Sequence, residues 1–95
     1  MFLVLLRFSH GKSRAGELMA AHREWIQRGF DDGVFLFVGG IRPEHGGVVI
    51  AVNTTRAVLQ ARVLDDPFVV HDVVAAELLE ISASRADPRL VFLLT

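Results

Sequence analysis

Two stretches of this chain are apolar at successive positions instead of alternate ones: Phe2-Leu3-Val4-Leu5-Leu6 and Val34-Phe35-Leu36-Phe37-Val38. Both are rich in β-forming residues and are bounded by turn signals, so they read as strands. Side chains of a strand point alternately to opposite faces, and an antiparallel sheet with one wet face alternates accordingly. These two strands do not alternate. The sheet that contains them is therefore expected to be dry on both faces, which one layer of helices on one face cannot achieve.

The remaining segments fall into place around those strands. Ser9-His-Gly-Lys-Ser13 ends the first strand, and Ser13 is the expected N-cap of a helix from about Arg14 to Arg28, with Gly29 as its stop. Asp31-Asp32-Gly33 is a turn, and the second strand runs over 34–38. Gly39, Gly40 and the stretch Ile41 to Gly47 connect it to a third strand over 48–52, a hairpin with a long tip. Thr54 or Thr55 caps a second helix that reaches about Val63. Asp66-Pro67 breaks it, because proline disfavours helix in the residue before it. A short helical turn over 68–72 precedes a fourth strand over 73–82. Arg89 to Thr95 is an apolar tail expected to add a fifth strand. This β-α-β, β-α-β order predicts an α+β, ferredoxin-like domain with an antiparallel sheet and both helices on one face. Residues 1–83 make up the domain and 84–95 a C-terminal extension.

With 95 residues there is room for one such domain. The hydrophobic fraction is 52% and mean hydropathy is +0.41, slightly high for a domain of this class. No apolar run approaches the roughly 20 residues of a spanning helix, so no membrane role is expected. The opening Met1–Arg7 stretch is shorter than a signal h-region and no basic segment precedes it, so a secretory signal is not expected either. Cytoplasmic residence is compatible with the lack of cysteine. The surplus apolar surface is then best accounted for by a second copy of the chain, packed sheet face to sheet face as a homodimer. Ten basic and eleven acidic residues are scattered without a basic stripe, which disfavours nucleic acid as a partner. Lys12 is the sole lysine and tyrosine is absent, which argues against a Schiff-base lysine or a tyrosine acid.

Chemistry has few carriers here. Of the four histidines (His10, His22, His45 and His71), His22 alone stands in an unexpected place. It falls on the apolar stripe of the first helix, one turn from both Leu18 and Ile26. A histidine there needs a hydrogen-bond partner, and both a structural and a catalytic role fit that position. No H-x-x-x-H or E-x-x-H spacing supports a metal site. Asp66, in Asp65-Asp66-Pro67-Phe68, reads by itself as a turn-capping carboxylate. Arg42, Glu44 and His45 lie on the hairpin tip, a solvated loop or a lid over a nearby pocket. Gly39 and Gly40 would allow a ligand close to the backbone, or simply mark a strand end.

Taken together, these residues resemble the YCII family. Ala21-His22, then Trp25 through Gly33 leading into Val38-Gly39-Gly40, is similar to that family's first helix and second strand. Asp66-Pro67-Phe68-Val69, leading into Glu80-Ile81, is similar to its other motif. The resemblance covers about residues 1–83 and implies a dimeric α+β barrel. It also implies that His22 and Asp66 form an active-site dyad, His22 as general base and Asp66 as its orienter. Lyase-like, dehydrochlorinase-type chemistry on hydroxylated rings, without cofactor or metal, is the implied activity. A non-catalytic small-ligand-binding or regulatory dimer is the competing reading. Met19 stands where many relatives have an arginine, and Gly40 where a proline is frequent. An anionic group held by that arginine would here fall to Arg7 or Arg42, which with Gly39 and Gly40 complete the expected substrate contacts.

Overall fold

A computed structural model describes residues 1–94; Thr95, the last residue of the expected fifth strand, lies outside the described residues. The chain folds as β1 (Phe2–Phe8), a 3-10 turn (Lys12–Arg14), α1 (Ala15–Asp31), β2 (Phe35–Ile41), β3 (Gly46–Ala51), α2 (Arg56–Leu64), the short helix α3 (Pro67–Val70) and β4 (Val74–Glu80). The four strands form one antiparallel sheet in the order β2-β3-β1-β4. This is the ferredoxin-like α+β arrangement expected from the patterning. Among the described residues, no helix is long and apolar enough to cross a membrane.

β1 is flanked on both sides, by β3 and by β4. Its even-numbered residues Phe2, Val4 and Leu6 are buried against the helices, with Val49 and Ala51 of β3 and Trp25, Leu59 and Val63 of α1 and α2. Leu3 and Leu5 point to the other face, where their cross-strand partners are Ile50 and Val48 of β3 and Leu79 and Glu77 of β4. Phe37 shares that face through its pairing with Ile50, and is 50% exposed. No helix covers it.

Several boundaries differ from the expected ones for identifiable reasons. Ser13 is inside the 3-10 turn, and α1 starts after Arg14 without a side-chain cap. α1 also runs through Gly29 to Asp31. Gly29 is buried, and a Cβ there would overlap the Phe35 ring, so this glycine permits close helix–strand packing and is no stop signal. Gly33, at φ +72°, makes the turn instead. Gly39 and Gly40 belong to β2 and are not part of the connection, which shortens the hairpin tip to 42–45. Thr55 caps α2 as expected, accepting from Val58 N–H.

The tail is not a fifth strand. Residues Pro88–Leu94 form two 3-10 turns that meet at a kink at Leu90 (φ −116°), opened by Asp87, whose carboxylate accepts from Arg89 N–H at 2.9 Å and whose carbonyl accepts from Leu90 N–H at 2.8 Å. A proline lacking its N–H, preceded by an aspartate able to cap, favours a turn over a ladder. The apolar composition misled the expectation.

Candidate active site

Asp66 is the N-cap of α3 and is completely buried. Pro67 follows at the first helical position, where its missing N–H costs nothing. The Asp66 Oδ1 atom accepts from Phe68 N–H at 3.0 Å. The same oxygen lies 2.7 Å from His22 Nδ1. Because a carboxylate accepts, Nδ1 carries the hydrogen of that bond. Asp66 Oδ2, also buried, has no hydrogen-bond partner among the described residues.

The imidazole is held from three directions. Phe68 stacks on it with ring centroids 3.9 Å apart and planes 3° from parallel, and Trp25 lies 5.9 Å away at 21°. Trp25 is itself anchored, its Nε1–H donating to the Arg62 carbonyl at 2.9 Å. The His22 side chain is 12% exposed. Its Nε2, opposite the bonded nitrogen, makes no hydrogen bond to a described residue. A ring with its tautomer and plane fixed and one nitrogen unused has the geometry of an acid–base group or of a ligand-binding one.

His22 forms part of the wall of a cleft of about 250 Å³ whose other walls are Leu6, Phe8, Met19, Ile26, Phe68 and Val74, with Arg23 at the edge. The lining is apolar apart from His22 and Arg23, so water competes weakly with a bound ring. Gly46 and Gly47 complete it. Met19, which stands where an arginine was expected by resemblance, lines this wall.

The other expected contacts divide. Arg42 and Gly40 line a second, larger cleft that shares Phe8 and Gly46 with the first. Gly39 pairs with Val48 on the uncovered sheet face and lines neither cleft. Arg7 is also on that face, because alternation places it opposite Leu6 and Phe8, and its guanidinium pairs with Glu77 at 2.8 Å. The structure thus removes Arg7 and Gly39 from the cleft. Sequence reasoning missed Phe68 as a site residue, although it completes the Asp-Pro-Phe motif, and missed Gly46, which lines both clefts, and Lys12, which lines the second. No group of three or more metal-ligating side chains occurs among the described residues.

No family model matches the chain, and no curated protein matches it. Among solved structures it is similar to 5-chloro-2-hydroxyhydroquinone dehydrochlorinase from Burkholderia phenoliruptrix AC1100, in complex with 2,5-dihydroxybenzoquinone. The TM-score is 0.69 at 14% sequence identity, over 86% of this chain and 94% of that one. At this identity the likeness establishes the fold alone.

Proposed function

We propose that the chain is a YCII-like, cofactor-independent enzyme that moves a proton on a small cyclic substrate, with His22 as the acid–base group and Asp66 as the residue that positions it. The observation that carries this reading is the 2.7 Å bond from His22 Nδ1 to a wholly buried carboxylate, with the other ring nitrogen unpartnered on a ring-sized apolar cleft. In the reaction, Nε2 takes a proton from the substrate. The electron pair left behind forms a new double bond, and a leaving group such as chloride departs with the electrons of its own bond. The imidazolium so formed is stabilised by the Asp66 charge until it gives the proton to solvent.

Elimination of hydrogen halide fits because it needs one base, an oriented ring and no redox partner. The YCII resemblance and the fold shared with a dehydrochlorinase of chlorinated hydroxyhydroquinone both favour it, by analogy. The functional unit in this reading is residues 1–83, paired with a second copy through the uncovered sheet face, while 84–95 is an extension. Chloride release from a panel of chlorinated hydroxyhydroquinones tests the assignment. His22→Ala is expected to abolish release from whichever compound the parent accepts. Unchanged turnover in that variant would remove His22 from the chemistry.

A non-catalytic ligand-binding dimer is the second reading. It gains from the tight stacking of His22 on Phe68, which also suits a purely structural histidine.

A further inference from the structure

We infer that the ligand of the His22 cleft is a planar organic anion whose acidic group is held outside the cleft by Lys12 and Arg42. The inference rests on the cleft being the binding site, as proposed above, but not on catalysis. The two clefts share Phe8 and Gly46 in their linings, so they adjoin. The first, around His22, is mainly apolar. The second, about 670 Å³, is lined by Lys12, Arg42, Glu44 and Pro43. Lys12 Nζ sits 4.8 Å from the centroid of the Phe8 ring, the wall that both clefts use. A cation on the face of that wall is placed to meet a charge at the end of a ring lying against it.

Charge pairing points the same way. Arg7, Arg14, Arg56, Arg62 and Arg89 all form ion pairs. Of the five basic side chains that form none among the described residues (Lys12, Arg23, Arg28, Arg42 and Arg85), Lys12, Arg23 and Arg42 line these two clefts. The single carboxylate residue among those lining the two clefts is Glu44. Asp66 has no exposed surface and is committed to His22 and Phe68, so it does not repel an entering anion at contact. The wall that the two clefts share also carries no side chain at Gly46. Gly46 has φ +124°, and a Cβ on it would collide with the Leu6 carbonyl and the Arg7 backbone. The floor there is bare main chain, which a ring can approach closely.

The test compares 4-hydroxybenzoate with its neutral methyl ester by amide-resolved NMR titration of the full chain. The anion is expected to bind about tenfold more tightly. Its shifts are expected at Phe8, Lys12, Gly40 and Gly46, with the preference eroding as salt is raised. In the Lys12→Ala/Arg42→Ala double variant, the two affinities become equal while that of the ester is unchanged. Both side chains are exposed, so the variant keeps its fold. Equal affinities in the parent, a preference surviving in the double variant, or no saturable binding of the anion would each overturn the inference. His22→Ala separates the two proposals: it is expected to keep the charge preference, whereas loss of turnover in that variant bears only on the catalytic reading.

Discussion

His22 Nδ1 and Asp66 Oδ1 stand 2.7 Å apart although 44 residues separate them in the chain, and the carboxylate has no exposed surface. One comes from the middle of α1, the other from the cap of α3, so the contact exists only when both are packed on the sheet. Oδ1 is shared between His22 and the Phe68 N–H, which ties the orientation of the ring to the local turn. A buried charge with one oxygen unpartnered does not by itself favour the folded state. What it does do is hold the His22 ring, whose Nδ1 it binds.

Substituting Asp66 divides these roles. Asp66→Asn keeps an oxygen that accepts from both donors but removes the charge and leaves a buried amide N–H unpaired. Stability is expected to fall by about 1–2 kcal/mol and turnover by on the order of 100-fold or more. Asp66→Ala additionally loses the cap and strands the His22 and Phe68 donors, at about 2–4 kcal/mol. Urea unfolding of both variants, alongside turnover, distinguishes positioning from stability. A fully active Asn variant would show that the charge is irrelevant to the chemistry.

Phe68→Leu retains an apolar side chain in the core but removes the ring stacked at 3.9 Å on His22. We expect a stability loss of about 1–2 kcal/mol. Turnover is expected to drop further than stability does, because the plane of the imidazole is no longer fixed. The measurement is kcat and KM of the variant beside its unfolding midpoint. A change confined to the midpoint would make Phe68 a packing residue only.

The order of elements and the starts of α2 and α3 were legible because the residues that set them act locally: Thr55 caps with its own hydroxyl, and Pro67 forbids helix in Asp66. His22 was visible as a polar residue on an apolar stripe. That Asp66 is its partner came from the family resemblance and not from the residues themselves, because a turn carboxylate looks the same in sequence whether it is solvated or buried. Arg7 and Gly39 were misplaced through ignoring alternation, which sends them to the face away from His22. Gly29 was misread as a stop because its reason lies in the ring of Phe35, a contact between elements.

That reading of Gly29 has a decisive substitution. Helix propensity alone makes Gly29→Ala stabilising by up to about 1 kcal/mol. The overlap of the new Cβ with the Phe35 ring costs about 1–3 kcal/mol, and this is expected to win. Thermal or urea unfolding should therefore show a less stable variant. Adding Phe35→Leu removes the overlap, so the double variant is expected to be more stable than the sum of the two single changes implies. Simple additivity would refute the packing explanation.

The uncovered sheet face gives the last expected outcome. Leu3, Leu5, Val48 and Ile50 lie on it beside Phe37 and Leu79, the last two 50% and 39% exposed. A contiguous apolar face of this kind is unfavourable in water, and a second copy would bury it. Sedimentation of the parent is expected to report a dimer, and Phe37→Arg a monomer. Val58→Arg, at a 60% exposed position on α2, is the control that leaves the mass unchanged. The Arg7–Glu77 pair refines the test, since it lies on the same face. In a monomer it is a surface pair, and Glu77→Gln costs at most about 1 kcal/mol. Inside a sheet-to-sheet interface the same change strands a guanidinium away from water, and dimer affinity is expected to fall by more than tenfold. A Phe37→Arg variant that sediments like the parent would mean that no second copy sits on this face.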